Sequence, residues 1–233
     1  MSNPERLLAR CTAAGLSWLG QDCPLCGARS GPELLCADCA ASLPALPEHC
    51  PRCALPSPRG SVCGNCLASP PYFDGTQALW LYEFPCDRLV QALKYRAWLA
   101  LAPFFGDRLA SRPLPAIDLV MPMPLHPDRL AQRGFNQAVE IARILTKRSR
   151  LRLAPRGARR VKDTTAQTEL PHEERARNVR GAFVCNLDLS GKSIGIVDDV
   201  MTTGASLNEL AKVLKRAGAA RVENLVIARS VLR

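Results

Sequence analysis

Two groups of residues have the types and spacing to do chemistry. The first is a set of eight cysteines in four C-x2-C pairs: Cys23 and Cys26, Cys36 and Cys39, Cys50 and Cys53, Cys63 and Cys66. Adding 27 to each member of the first two pairs gives the last two. The repeat extends beyond sulfur, because Pro24 maps to Pro51, Ala41 to Ala68, Ser42 to Ser69 and Pro44 to Pro71. An internal duplication of one unit accounts for all of these matches. Two cysteines separated by two residues fit a tight turn that presents both thiolates to one ion. Two such turns complete a tetrahedral shell with sulfur at ~2.3 Å, the closed geometry of structural zinc.

We therefore expect one zinc on Cys23, Cys26, Cys36 and Cys39, and a second on Cys50, Cys53, Cys63 and Cys66. Interleaving of the pairs is the alternative, and duplication favours self-contained units. Iron–sulfur ligation uses the same donors. Disulfides fit poorly with the cytoplasmic location expected below. His49 adjoins a ligand, but both shells are already full, so it reads as a surface residue. Cys11, Cys86 and Cys185 stand alone and read as small apolar side chains.

The second group is the segment Ile194-Gly195-Ile196-Val197-Asp198-Asp199-Val200-Met201-Thr202-Thr203-Gly204-Ala205-Ser206. An apolar run ends, two carboxylates emerge, and a small hydroxylated turn leads into a helix. Ligands of open parallel sheets bind outside the carboxyl ends of the strands. The turn can offer N–H groups and the hydroxyls of Thr202, Thr203 and Ser206 to a phosphate, with the positive end of a helix behind them. Gly204 leaves room for close backbone approach. Asp198 and Asp199 would repel that phosphate. They suit ribose hydroxyls, or water on a magnesium ion. Simple capping of the helix is the plainer reading, but it does not account for two carboxylates beside an apolar strand.

The elements that must position these groups follow from periodicity. Ala78–Phe84, Ile117–Met121, Ile194–Val197 and Leu225–Ala228 read as strands. Leu89, Leu93, Leu101 and Leu109 lie in helical stretches. Ala138, Ile141, Ala142 and Leu145 mark one helix face. A helix is expected from about Ser206 to Ala217, stopped by Gly218. Strand–helix alternation implies an α/β fold with a mostly parallel sheet and helices on both faces. Pro70 and Pro71 form a stiff linker, so the expected domains are 1–71 and 76–233.

Charge sharpens the division. The 233 residues carry a formal net charge of +10. Residues 1–66 hold five basic and five acidic side chains. Eight thiolates and two divalent zincs bring that module to about −4 and the whole chain to about +6. Residues 141–180 hold twelve basic and four acidic side chains, so the positive field is local. Arg156, Arg159, Arg160 and Lys162 precede Thr164-Thr165-Ala166-Gln167-Thr168, and Arg175, Arg177 and Arg180 follow. A solvated basic face or a nucleic-acid contact competes with any catalytic use of a single arginine here. No stretch reaches the ~18 apolar residues of a membrane-spanning helix. Leu7, Leu8, Leu16, Trp18 and Leu19 suggest a short amphipathic N-terminal helix with no cleavage site behind it, and a cytoplasmic location is expected.

The segment from Ile194 resembles the 5-phosphoribosyl-1-pyrophosphate (PRPP) signature of type I phosphoribosyltransferases. Gly195 is a mild departure from its apolar run. Together with Gln132-Arg133-Gly134-Phe135-Asn136-Gln137, Leu93-Lys94-Tyr95 and the paired cysteines, it resembles the ComF family of competence proteins over nearly the whole chain. The resemblance implies a double zinc ribbon ahead of a phosphoribosyltransferase-like domain, PRPP binding with magnesium, and a part in DNA uptake, natural transformation or DNA utilisation. It implies phosphate contacts from Thr202, Thr203, Gly204, Ala205 and Ser206 and catalytic roles for Asp198 and Asp199. It also implies a loop over the substrate, whose cations would be Arg160 and Lys162.

That transfer expels pyrophosphate through an oxocarbenium-like transition state, so it needs cations, positioning and exclusion of water rather than a protein nucleophile. The family's pyrophosphate loop falls at Pro122-Met123-Pro124-Leu125-His126, where Met123 would offer its backbone amide. Arg133 is a plausible phosphate clamp. Asn136 and Gln137 either orient substrate or cap a helix. His126 reads as a structural histidine rather than a base. Expected partners are PRPP or a 5′-phosphorylated nucleotide, single-stranded DNA, and competence or recombination proteins, without membrane insertion. The competing reading is a catalytically silent factor that uses the same fold to bind nucleic acid or recruit a partner.

Overall fold

The longest strands, Ser193–Met201 and Arg221–Arg229, lie side by side at the heart of the sheet and are almost wholly buried. The computed structural model of the chain describes residues 21–162 and 179–231. The expected N-terminal helix and the Thr164–Thr168 segment with Arg175 and Arg177 fall outside those residues. Up to Leu43 the described residues form one compact unit, and from Pro44 onward a second.

The first unit holds a two-stranded antiparallel ribbon, β1 (Gln21–Asp22) with β2 (Arg29–Gly31), followed by the short helix α1 (Ala37–Ala41). The second unit opens with the second cysteine repeat and its helix α2 (Gly64–Ala68). It continues with β3 (Gly75–Leu81), α3 (Cys86–Arg96), α4 (Leu101–Ala110), β4 (Leu119–Pro122), α5 (Pro127–Arg133) and α6 (Gln137–Ser149). β5 (Arg152–Leu153), β6 (Ala158–Arg160) and β7 (Phe183–Cys185) are short. β8 (Ser193–Met201), α7 (Ala205–Arg216) and β9 (Arg221–Arg229) end the described chain.

Five strands form one wholly parallel sheet in the order β3-β9-β8-β4-β5, and β6 pairs with β7 in a separate antiparallel hairpin. The expected α/β fold is therefore present, with every pair in the main sheet parallel. Right-handed crossovers fix the layers. The path from β3 to β4 and on to β5 runs one way across the sheet, and the path from β8 to β9 runs back. Helices α3, α4 and α6 consequently cover one face and α7 the other, consistent with the contacts of α4 with α6 and of α7 with β9.

The expected helix face of Ala138, Ile141, Ala142 and Leu145 is buried. Gly195 breaks the apolar run where the side chain of Ile117 packs close, so a larger residue would have to displace it. A Cβ there would sit 2.8 Å from Ile117 Cδ1.

The second repeat is built into the larger unit. Its cysteines Cys50, Cys53 and Cys66 share a core cluster with Phe73, Ile194, Ile196 and Leu207. Residues 44–51 run antiparallel along the outer edge of β3. Leu81 N–H donates to the Pro44 carbonyl, Thr76 N–H donates to the Pro51 carbonyl, and Ala45 bridges Trp80. An open sheet edge invites pairing with other chains, and this segment covers it.

Close packing of α4 on α6 generates a test. A Cβ on Gly106 would lie 2.6 Å from Ile144 Cβ and 2.9 Å from the Ile141 carbonyl oxygen. Neither atom is the free end of a side chain, so the helices must move apart. Alanine improves helix propensity by ~1 kcal/mol, but overpacking costs about 1–3 kcal/mol or more. Gly106→Ala should therefore lower stability by about 1–2 kcal/mol in urea unfolding, and an unchanged or raised midpoint would contradict this packing.

Candidate functional site

Each cysteine repeat gathers its own four sulfurs. Cys23, Cys26, Cys36 and Cys39 form one cluster and Cys50, Cys53, Cys63 and Cys66 the other, with all Sγ atoms of a cluster within 4.8 Å of one another. The interleaved pairing is thereby excluded. Sγ of Cys26 lies 3.6 Å from that of Cys36, and Cys53, its repeat equivalent, lies 3.6 Å from Cys63. A tetrahedral shell at ~2.3 Å has edges of ~3.8 Å, so both sets fit zinc.

Backbone geometry repeats as well. Gly27 N–H donates to the Cys23 carbonyl and Ala54 N–H to the Cys50 carbonyl, and both residues take positive φ, 76° and 56°. The fourth ligand of each site sits on α1 or α2, whose N-caps are Cys36 and Cys63. Burial raises the thiol pKa of Cys50, but hydrogen bonds from the backbones of Cys63, Cys53 and Arg52 outweigh it and bring Cys50 down to about 7. Cys23 reaches about 6 in the same manner, with Cys36, Leu25 and Cys26 supplying the backbone bonds. N–H groups aimed at sulfur stabilise the thiolate that a metal requires. His49 bonds the Pro47 carbonyl through Nδ1 and belongs to neither shell.

At the carboxyl end of β8 the structure places Asp198 and Asp199 as expected, and adds a residue that sequence reasoning did not assign to the site. Lys94 Nζ lies 2.8 Å from Asp199 Oδ1, with both side chains largely buried. Lys94 belongs to α3, beside the buried face of Leu89, Val90 and Leu93. Burial works against the ammonium, and the Asp199 carboxylate more than offsets it, so the Lys94 pKa is held above its ordinary value. Asp199 Oδ2 is buried and meets no hydrogen-bond partner among the described residues. Burial, and next the neighbouring Asp199 charge, push Asp198 up to about 7, against the opposing pull of Lys94 and Arg160. Lys94 pairs directly with Asp199, while Arg160 acts on Asp198 through its charge, and Asp198 stays raised to about 7.

The turn after β8 has the cradle geometry expected for an anion. None of the N–H groups of Thr202, Thr203 and Gly204 donates to a described residue. Thr203 Oγ1 accepts from Ala205 N–H, so part of the capping role is real. Gly204 adopts φ +80°, and a Cβ there would meet Met201 Cε at 2.7 Å. The positive φ favours glycine here, while the flexible end of Met201 could move aside. Helix α7 starts at Ala205 and points its N-terminus at this turn. A cleft of about 560 Å³ is bounded by Thr202–Ala205 on one side and by Asn65 and Cys66 of the second repeat on another.

The remaining expected residues divide. Arg160 stacks over Phe183 at 5.6 Å, and its charge acts on Asp198. Lys162 Nζ donates to the Arg180 carbonyl. Met123 N–H donates to the Val197 carbonyl, while its own carbonyl accepts from Asn136 Nδ2. Asn136 also caps α6 through Ala138 N–H. Arg133 reaches Gln137 Oε1 at 2.7 Å and lies 5.6 Å over the Tyr95 ring. His126 caps α5 by accepting from Asp128 N–H, so it acts structurally. Among the described residues, no helix is long and apolar enough to cross a membrane.

Comparison with known proteins agrees with this division. Residues 17–67 match the double zinc ribbon domain, and residues 130–230 match the phosphoribosyl transferase domain. Competence protein F of Haemophilus influenzae is 29% identical over 171 residues, which cover 69% of this chain and 75% of that protein. The DNA utilization protein YhgH of Salmonella typhi is 32% identical over 218 residues, which cover 90% of this chain and 84% of that protein. The chain belongs to the ComF family.

A solved glutamine PRPP amidotransferase from B. subtilis, complexed with ADP and GMP, aligns over 55% of this ComF chain and 26% of its own, at 18% identity and a TM-score of 0.39. The chain thus spans about a quarter of that enzyme.

Lys94 is a site residue of this ComF chain that spacing alone does not assign. Its signal was a lysine following the buried leucine face of α3, in the Leu93-Lys94-Tyr95 segment.

The two sulfur clusters predict two zincs per chain by elemental analysis. Cys66→Ser should reduce the count to one, while Cys86→Ser should leave it at two. Loss of both metals from the Cys66 variant would show that the sites are not independent.

Proposed function

We propose that the chain binds PRPP with magnesium at the carboxyl end of β8 and works in DNA uptake or utilisation, as the names of its relatives suggest. The observation that carries this reading is the junction of β8 with its turn: two adjacent carboxylates, of which Asp199 is buried and has an unpartnered oxygen, two residues ahead of three N–H groups free of described acceptors. The N–H groups of Thr202, Thr203 and Gly204, with the Ser206 hydroxyl and the end of α7, take the 5-phosphate. Asp198 and Asp199 take the ribose hydroxyls and fit a magnesium ion, whose donors are hard oxygens. Bound there, magnesium would neutralise part of the pyrophosphate charge.

The cations Arg160 and Lys162 serve the leaving pyrophosphate, whereas the Met123 N–H, already donated to the Val197 carbonyl, holds the loop after β4 in place rather than contacting the leaving group. Arg133 is the further phosphate clamp. As functional modules, 1–71 is the ribbon region and 76–233 the phosphoribosyltransferase-like domain, and the setting is the cytoplasm. Competence or recombination proteins are the expected protein partners.

Calorimetry tests the binding. PRPP with magnesium should bind, and Asp198→Asn/Asp199→Asn should weaken it at least tenfold. Asp198 must be ionised to serve magnesium, and its pKa stands at about 7. Affinity should therefore rise as pH increases towards and through 7, then level off, with proton release on binding. Asp198→Asn should remove that pH dependence. No binding in the wild type at any pH would reject the proposal, and pyrophosphate release with candidate bases or oligonucleotides would separate transfer from binding alone.

A second reading, contact with single-stranded DNA, is favoured by Tyr95. Its ring is 69% exposed and carries Arg133 over one face, a platform on which bases stack. Tyr95→Ala should weaken oligonucleotide binding by roughly 1–3 kcal/mol. The affinity itself should fall steeply with salt. A salt-independent affinity, or none, would remove this reading.

A further inference from the structure

Arg229, the last residue of β9, is 2% exposed and touches both the second cysteine repeat and the turn after β8. Its Nε donates to the Cys53 carbonyl at 2.7 Å. Its Nη1 donates to the carbonyls of Met201 at 2.8 Å, of Ser230 at 2.6 Å, and of Thr202. Cys53 is a ligand of the second sulfur site, and Met201 and Thr202 lead into the phosphate turn. All four acceptors are main-chain oxygens.

Peptide planarity makes these contacts directional. The Met201 carbonyl and the Thr202 N–H are opposite ends of one rigid plane, as are the Thr202 carbonyl and the Thr203 N–H. A guanidinium that holds the two carbonyls on one side fixes where the two N–H groups point on the other. Those are N–H groups with no described acceptor of their own. Arg229 in turn needs an anchor and a compensating charge, since a buried cation facing only carbonyls is costly. Four thiolates and one divalent ion carry about −2, and Cys53 brings that charge beside the guanidinium.

We propose that Arg229 is a positioning residue that couples the second metal site to anion binding at the phosphate turn: metal in the Cys50–Cys66 shell holds Arg229, and Arg229 aims the N–H groups of Thr202 and Thr203. The assignment rests on the reading of that turn as a phosphate site. Coupling of this kind is reciprocal. An anion on the turn should slow metal loss from the second site, and damage to the second site should weaken the anion.

The test uses the full, zinc-loaded chain and the variants Arg229→Lys and Arg229→Gln. Three quantities are read: PRPP–magnesium affinity, zinc release to a chromogenic chelator, and amide exchange in residues 200–206. Arg229→Lys keeps the charge but lacks the fork that spans several carbonyls. It should retain two zincs, lose roughly tenfold in PRPP affinity, and exchange faster in the turn. Saturating PRPP should slow release of one of the two zincs in the wild type, with no such protection in Arg229→Lys. Because the wild-type arm needs no substitution, the proposal stays open to refutation even if the variants fail to fold.

PRPP binding that leaves zinc release unchanged in the wild type would overturn the coupling. So would an Arg229→Lys protein with unaltered affinity and turn exchange. If the wild type ignores PRPP altogether, the phosphate reading falls. Zinc release and turn exchange in Arg229→Lys then decide the coupling alone, with acceleration of both sustaining it and no change in either rejecting it.

Discussion

Two neighbouring carboxylates at the end of a buried strand are a charge problem, and much of the site is arranged around it. Burial, and then the neighbouring Asp199 charge, raise the cost of ionising Asp198. Lys94 relieves Asp199 directly from a helix on the sheet's helical face. Arg160 acts on Asp198 from the β6–β7 hairpin. The compensation stops short of completion, because Asp199 keeps an oxygen without a partner and Asp198 holds its proton to near neutrality. A site that is under-neutralised when empty has a reason to receive a cation or a hydroxyl donor. The sheet order then matters, because it brings β4, β8 and β9 together, with their carboxyl ends side by side.

The parts of this arrangement that were legible in the sequence are those set by short-range rules. The cysteine duplication announced two sulfur shells, since ligand spacing within 17 residues fixes what one ion can collect. The apolar run leading to Asp198 and Asp199 announced the strand, although β8 continues through both carboxylates to Met201, and the helix ending before Gly218 was bounded closely. What spacing could not announce were contacts between distant segments. Lys94 and Asp199 meet because the crossover from β3 to β4 lays α3 over the sheet. Asn136 was ambiguous between substrate and cap until its bonds to Ala138 and Met123 showed the cap. Gly195 looked like a blemish in the strand and lies where the side chain of Ile117 packs close against the backbone.

The second cysteine repeat shows how a duplicated unit comes to serve two purposes. Both copies keep the same knuckle, the same helix cap and the same sulfur separations. The second, within the larger unit, lends residues 44–51 to the edge of β3 and its cysteines to the core around Phe73 and Leu207. Its metal shell is therefore part of the wall of the domain, in physical continuity with the turn after β8.

The closure of the sheet by β9 has a consequence for how the molecule is made. β3 is among the first strands of the sheet to leave the ribosome, yet its sheet partner β9 is the last. The bond from Asn224 to Thr76 spans 148 positions, and that from Arg229 to Cys53 spans 176. Non-local pairing of this kind is slow, because the loop must close before any contact rewards it. During synthesis β3 waits with one edge already covered by residues 44–51 and the other bare. The cysteine knuckles are local and can take up metal as they emerge, so the nascent chain carries a finished metal site long before it has a finished sheet. β9 must be translated before the centre of the domain can exist.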